Sequence, residues 1–289
     1  MLDCLLNFGS RAGSRWRWRK RQIDTLDGYS RKYFRLTDFD CEYDHVVPWT
    51  ISACNVDADL MLIAQDWASE DFLNALSEQQ RQMQRALGQF PFLPTNRNLK
   101  ALLGSHMGVS FSDTYATNAF AFVKSGKMDA RIPFRDLARS AATYTLPQIA
   151  IVRPKMVLCL GSASFNAVRR AIIDERSGVF GKRDRKWMAL ASAWCIEDPF
   201  HTEHFGIPVF GVAHPGANGH ARKRRASGDY AKVAGARRIL PLDPAMRAFP
   251  LSPGVRGLLG STQVGGGESQ PHRGSSRIQH VRTPCPKWW

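Results

Sequence analysis

The stretch "LMLIAQDWASEDF", residues Leu60 to Phe72, contains the change from a predicted strand to a predicted helix that decides the fold. An apolar run, predicted as a strand over Ala58 to Gln65, ends abruptly in the amide of Gln65, the carboxylate of Asp66 and the indole of Trp67. A pattern typical of a helix follows. In α/β proteins, ligands bind outside the carboxyl ends of the strands. The stretch therefore predicts polar side chains at a binding edge of a buried sheet.

Three further apolar runs predict strands: "YATNAFAF" (Tyr115 to Phe122), "KMVLCLG" (Lys155 to Gly161) and "IPVFGVA" (Ile207 to Ala213). Helical patterns separate or follow the strands, over 69–87 with Ser69 as N-cap, 96–106, 134–152 with a break near Pro147, 162–173 and 219–239. Nearly continuous apolar strands that alternate with helices indicate a parallel sheet covered on both faces. We therefore predict a three-layer α/β/α sandwich with a central parallel four-stranded sheet.

Composition divides the 289 residues into a core domain and two tails. Residues 1–45 form a basic N-terminal extension, and 46–240 form the α/β domain. Residues 241–289 are rich in Pro, Gly, Ser and Arg, and we predict a disordered basic tail because such a segment buries little apolar surface. No apolar run approaches the ~18 residues that cross a membrane, so no membrane association is expected.

The charge balance indicates a polyanionic partner. Lys and Arg number 40 against 25 Asp and Glu, which gives a formal net charge of +15 and a pI near 10.0. This excess is typical of nucleic-acid-binding proteins. The six cysteines form no Cys-x-x-Cys pair, so their spacing indicates neither a disulfide framework nor a metal site. A reducing cytoplasm is the compartment that this pattern favours. The "HTEH" stretch, residues 201–204, is expected to be a solvated loop rather than a metal site.

Polar residues that lie within or directly after three predicted strands form the candidate site. Asp66 could act as a general base or stabilise a cation, or simply cap the helix that follows. Asn118 offers a donor and an acceptor that suit the edge of a nucleobase, or it could tie two loops together. His214 could donate to developing negative charge, or it could be structural. Their coincidence at one edge of one sheet favours a site.

These stretches resemble a known family. "AQDWAS", "YATNAFAF", "RPKMVLCLGSASFNAV" and "VFGVAHPGANGHARKR" are similar, in order, to the motifs of the uracil-DNA glycosylase superfamily, over about residues 57–238. The resemblance implies a DNA base-excision repair enzyme that hydrolyses the N-glycosidic bond of a flipped uracil or other deaminated base. Asp66 would position the attacking water and stabilise the sugar cation, and Gln65 would contact the base through its backbone. His214 would stabilise the leaving base at its O2 oxygen.

The resemblance also implies residues that recognise the base. Phe92, in "GQFPFLP", would stack on the flipped base, although Phe111 in "GVSFSD" resembles the stacking segment of another branch. Asn118 would read the Watson–Crick edge. The tyrosine with which the family blocks thymine is absent, and Trp67 would take the gate position of the base pocket instead.

The match departs from the family in three places. The water-activating loop lacks its proline and tyrosine, and the loop after His214 lacks the intercalating leucine. The four cysteines of the iron–sulfur branches are absent, so the resemblance implies an outlying branch that uses no cofactor.

Contacts to DNA would come from residues that follow His214 along the chain: Gly216, Asn218, Arg222, Lys223, Arg224 and Arg225.

Two other functions stay open. The chain could be a hydrolase of free nucleosides or nucleotides, although it has no Gly-x-Gly-x-x-Gly or P-loop motif. It could also be a non-catalytic nucleic-acid-binding protein that has kept the fold. For the favoured function we expect a monomer that acts on single- or double-stranded DNA in the cytoplasm, associated with the nucleoid if the source is bacterial.

Overall fold

A computed structural model of the chain describes residues 26–39, 47–177, 202–216 and 228–239. Within these ranges the strands, in chain order, are β1 Tyr33–Phe34, β2 Leu60–Ala64, β3 Tyr115–Asn118, β4 Val123–Lys124, β5 Met156–Leu160, β6 Thr202–His204 and β7 Ile207–Val212. The α-helices of the same ranges are α1 Glu70–Asn74, α2 Glu78–Leu87, α3 Pro94–Leu102, α4 Phe134–Ser140, α5 Leu146–Val152, α6 Ser162–Ser177 and α7 Asp229–Ile239. None of these helices has the length and apolar character of a membrane span.

The described strands form one main sheet and one small ribbon. The sheet has the order β3-β2-β5-β7-β6, in which β3, β2, β5 and β7 are parallel. The predicted mixed α/β class with four parallel strands is therefore confirmed. The sheet has a fifth strand that the sequence did not predict, because β6 pairs antiparallel with β7. The ribbon joins β1 and β4 in an antiparallel pair.

The edge strand β6 corrects one prediction. The "HTEH" stretch was expected to be a solvated loop, but Thr202–His204 forms a strand and His204 is buried. Phe205 and Gly206 connect β6 to β7 with φ values of 53° and 73°. Positive φ at both central residues is the geometry of a tight hairpin turn whose twist matches that of the strands. This turn holds His204 opposite Ile207.

The two faces of the sheet carry separate apolar clusters, because side chains alternate along each strand. One cluster joins strand residues such as Met61 and Val157 to Phe165 of α6 and Ile149 of α5. The other joins the alternate strand residues, such as Leu62 and Leu158, to residues of two other helices: Leu99 of α3, and Tyr230 and Val233 of α7. Helices from different parts of the chain therefore bury apolar side chains against each face.

The helical prediction over 69–87 is wrong in one respect, because the segment forms two helices. The second helix, α2, has its own capping box at Ser77. The hydroxyl of Ser77 accepts from the Gln80 backbone N–H at 3.3 Å, and the Gln80 side chain accepts from the Ser77 N–H at 2.9 Å. Reciprocal capping of this kind starts a helix. Ser69 adopts the extended N-cap conformation that was expected, but its side chain makes no capping hydrogen bond.

Part of the predicted N-terminal extension contacts the core. The carboxylate of Asp136 in α4 accepts hydrogen bonds from the Ser30 N–H at 3.0 Å, the Ser30 hydroxyl at 2.6 Å and the Tyr33 hydroxyl at 2.7 Å. Asp136 is almost completely buried, and Tyr33 is buried beside it. These hydrogen bonds attach residues 26–39 to α4. The rest of the extension and the predicted tail 241–289 lie outside the described residues.

We predict that Tyr33 makes the protein less stable at alkaline pH. Burial, followed by the hydrogen bond to Asp136, raises the pKa of Tyr33 well above its ordinary value of 10.0. Because the folded protein keeps the phenol proton to a higher pH than the unfolded chain does, this stabilisation is complete below pH 10 and is lost progressively above it. Urea unfolding of the wild type and Tyr33→Phe between pH 9 and 11 measures the effect. A wild-type stability that falls no faster than that of the variant would contradict the prediction.

Candidate functional site

The carboxyl ends of the parallel strands bring the predicted site residues to one edge of the sheet. Asp66 follows β2, Asn118 is the last residue of β3, and His214 follows β7. The register pairs Ala64 with Asn118, so Asp66 and Asn118 lie on neighbouring strands. Because β5 lies between β2 and β7, the ends of the strands that precede Asp66 and His214 are two strand spacings apart, or about 10 Å. A flipped nucleoside could bridge a gap of this size.

A buried ion pair holds the Asp66 carboxylate. The Lys124 ammonium lies 2.8 Å from Oδ2 of Asp66, and the two side chains are 5% and 9% exposed, respectively. Oδ1 of Asp66 accepts from the Gln65 side-chain amide at 2.9 Å. The Lys124 ammonium also donates to the backbone carbonyl of Met128. Both carboxylate oxygens therefore have a donor, and the charge of Asp66 is compensated by a cation.

Sequence reasoning missed Lys124. The residue ends β4, which pairs with β1 and also forms a single parallel bridge from Lys124 to Ser69. The loop after it is fixed to the start of α1, where the Gly126 carbonyl accepts from the Asp71 N–H at 3.1 Å. One signal in the sequence could have identified it. Lys124 directly follows the apolar run "NAFAFV", and a lysine that is buried with such a run requires a partner of opposite charge. The sequence gives no sign that this partner is Asp66.

We predict that the loss of one charge of the Asp66–Lys124 pair destabilises the protein more than the loss of both charges. Lys124→Met leaves a buried carboxylate without a cation and should lower the free energy of unfolding by about 3–5 kcal/mol. The double variant Asp66→Asn/Lys124→Met should recover most of that loss, because no buried charge remains. Urea unfolding of both variants measures the difference.

Lys155 provides a matched control for this cycle. It pairs with Asp59 at the same distance of 2.8 Å, but its side chain is 41% exposed. Exposed pairs contribute about 0–1 kcal/mol, so Lys155→Met should cost little. Equal losses in Lys124→Met and Lys155→Met would contradict a special role for burial.

Asn118 is a buried amide without a hydrogen-bond partner. Its side chain is inaccessible, and neither Oδ1 nor Nδ2 has a partner among the described residues. Burial of an unpaired polar group costs about 1–3 kcal/mol, so such a group indicates an ordered water or a ligand. The amide is closed to solvent in this structure. A base edge could reach it only if the residues that cover it move.

We predict that the Asn118 side chain contributes nothing to stability through hydrogen bonds. Asn118→Leu should keep or raise the melting temperature, because an unpaired polar group is replaced by an apolar one of similar shape. Gln148 is the matched control, since its equally buried amide accepts from the Tyr115 hydroxyl at 3.0 Å and donates to the Tyr144 carbonyl at 2.6 Å. Gln148→Met should lower the melting temperature. A larger loss for Asn118→Leu than for Gln148→Met would show that Asn118 is structural.

His214 is held in a defined orientation by the turn that follows β7. Its Nδ1 accepts from the Gly216 N–H at 3.0 Å, so the proton of the neutral ring lies on Nε2. A Cβ on Gly216 would lie 2.8 Å from that Nδ1, so only glycine allows this approach. The Asn98 amide in α3 fixes the same turn by donating to the Pro215 carbonyl at 2.7 Å. Gly161, at φ 101°, allows the chain after β5 to pass beside the His214 ring.

The aromatic candidates differ in exposure. Phe92 is 42% exposed, whereas its rival Phe111 is buried. The Trp67 indole is also buried, stacks on Phe90 with 5.8 Å between ring centroids, and donates to the Gly88 carbonyl at 3.2 Å. The structure thus gives Trp67 a place in the core, whereas the resemblance implied the gate of the base pocket. Among these rings, Phe92 is the one available to a ligand.

The predicted DNA-binding residues are described only in part. Gly216 contacts His214, but Asn218 and the run from Arg222 to Arg225 lie outside the described residues. Within 26–39, 47–177, 202–216 and 228–239, no three His, Cys, Asp or Glu side chains cluster as metal ligands would.

Comparison with models of known protein families gives no match for this chain, and a search of curated proteins finds no significant relative. The residues at the sheet edge are therefore the basis on which a function can be assigned.

Proposed function

We propose that the protein is a DNA glycosylase that hydrolyses the N-glycosidic bond of a flipped uracil or other deaminated base. In this proposal the described α/β unit is a three-layer sandwich of the uracil-DNA glycosylase type. The reaction uses water and no cofactor. The observation that carries the proposal is the joint placement of Asp66, Asn118 and His214 at the carboxyl edge of the parallel strands.

The chemistry of the bond supports roles for two of these residues. Cleavage places positive charge on the sugar and negative charge on the departing base. Asp66 would lie beneath the sugar, position the attacking water and stabilise the cation, while the Nε2–H of His214 would donate to the base oxygen. Charges that match the transition state better than the ground state lower the barrier. The hydrogen bond from Gly216 to Nδ1 supports the donor role, because it leaves the ring proton on Nε2.

Base recognition would involve the amide and the exposed ring. A base in a duplex must leave the stack before an enzyme can reach its glycosidic bond. Phe92 would stack on the flipped base, and the unpaired amide of Asn118 would read its Watson–Crick edge once the pocket opens. Discrimination would follow because a mismatched edge leaves buried polar groups unpaired. The backbone of Gln65 would provide a further contact to the base.

The charge of the chain supports DNA as the partner. The net charge of +15 would increase affinity for the phosphate backbone, and the run from Arg222 to Arg225 follows His214 closely in sequence. We propose that the protein acts as a monomer in a reducing cytoplasm, on the nucleoid if the source is bacterial.

A second candidate function is favoured by one observation at the site. The cation of Lys124 lies against Asp66 and reduces the negative charge that the carboxylate could offer to a sugar cation. A protein that binds nucleic acid without cleaving the glycosidic bond could keep such a neutralised edge. The two candidates predict different products from the same DNA.

We predict that wild-type protein releases a deaminated base and that two single variants do not. The protein is incubated with labelled single- and double-stranded oligonucleotides that carry uracil, hypoxanthine, xanthine or a thymine mismatch. Alkali then cleaves the strand at each abasic site, so the cleaved fragment measures base release. Asp66→Asn removes the charge and His214→Ala removes the donor, so each should slow single-turnover excision by a factor of about 10²–10³. Asp59→Asn and His106→Ala are matched controls that should cut at the wild-type rate.

The outcomes separate the two functions. Excision by wild type that both site variants retain within about threefold would make these residues structural, because transition-state contributions are read as rate differences. DNA binding without any base release would establish the non-catalytic function. Activity on free nucleosides with indifference to DNA would contradict both.

A further inference from the structure

We propose that Lys124 gives the site a second activity, the cleavage of DNA at the abasic sugar through a covalent imine. The inference rests on the proposed function, because that function places an abasic deoxyribose at Asp66. The proposed substrate is the ring-opened sugar, whose C1′ is an aldehyde. No step of base removal requires Lys124, so the two activities can be tested separately.

The position of the ammonium carries the inference. Nζ of Lys124 lies 2.8 Å from Oδ2 of Asp66, the carboxylate assigned to the sugar side of the scissile bond. A group that contacts Asp66 is therefore within a short side-chain movement of C1′ of a sugar bound there. The two described contacts, to Asp66 and to the Met128 carbonyl, occupy two of the three ammonium hydrogens.

The chemical identity of the pair supports the same role. Lysine amines form imines with carbonyl substrates when a neighbouring group removes the ammonium proton. Asp66 is already hydrogen-bonded to that ammonium, so it can accept the proton without rearrangement. The contact to the Met128 carbonyl gives the ammonium a second fixed partner beside Asp66.

The reaction balances without an oxidant or reductant. Asp66 takes a proton from the Lys124 ammonium, and the amine adds to C1′ of the aldehyde to give a carbinolamine. The hydroxyl leaves as water after it receives the proton from Asp66, and an imine remains. Asp66, which is a carboxylate again after this step, takes a proton from C2′. The C3′–O bond then breaks, and the downstream strand leaves with its 5′ phosphate. Water hydrolyses the unsaturated imine and restores Lys124.

A second lysine provides the control for this assignment. Lys155 pairs with Asp59 at 2.8 Å, as Lys124 does with Asp66. Lys155 and Asp59 precede β5 and β2, however, so they lie at the amino edge of the sheet and are exposed. A reaction that needed only a lysine beside an aspartate would occur at both pairs. A reaction at the proposed site would depend on Lys124 alone.

The test uses full-length protein and an oligonucleotide that already contains one abasic site, so that it does not depend on base excision. Sodium borohydride is added to reduce the imine, and the protein–DNA adduct is measured on a denaturing gel. Without borohydride, strand cleavage at the abasic site is measured. Lys124→Arg keeps the cation beside Asp66 but has no amine nucleophile, so the adduct and cleavage should fall at least about tenfold, whereas Lys155→Arg should match wild type.

Peptide mapping of the wild-type adduct by mass spectrometry gives a second readout that needs no variant. The reduced sugar should be attached to Lys124. No adduct with wild type, an adduct on another lysine, or an undiminished adduct with Lys124→Arg would overturn the inference. Uracil release that leaves an intact abasic strand would overturn it while supporting the glycosylase function. An adduct at Lys124 without release of any of the bases tested above would support the inference and contradict that function.

Discussion

The buried ion pair between Asp66 and Lys124 is the interaction on which the carboxyl edge of the sheet depends. It links the end of β2 to β4 and, through the β1–β4 ribbon, to residues 26–39. Either charge alone would be costly to bury, so each residue constrains the position of the other. The pair also sets the chemistry of the edge, because it fixes the carboxylate and compensates its charge in the same contact.

The parallel sheet could be predicted because its signal is strong and local. Three of the four long apolar runs end one residue after β2, β5 and β7, and the fourth begins where β3 begins. Once these strands are parallel, their carboxyl ends must share an edge, and this places Asp66, Asn118 and His214 together. That part of the site follows from strand direction alone and needs no knowledge of side-chain packing.

The remaining features depend on contacts between residues far apart in sequence or on very short elements. Strands β1, β4 and β6 have two or three residues each, too few for a periodic pattern. The hairpin turn at Phe205 and Gly206 lacks the Asn-Gly or Asp-Gly signature of its geometry. Lys124 could be recognised as a buried cation in need of a partner, but only the folded chain shows that this partner is Asp66.

Two buried polar groups at this edge have different physical explanations. Lys124 has its carboxylate and a carbonyl, so the folded structure accounts for it without any ligand. Asn118 has no such partners, whereas the buried amide of Gln148 has two. Stability alone therefore explains Gln148 and Lys124 but leaves the amide of Asn118 unexplained. Asn118 is for this reason the stronger indication that something binds at the edge, and Lys124 is the residue that decides which chemistry can follow binding.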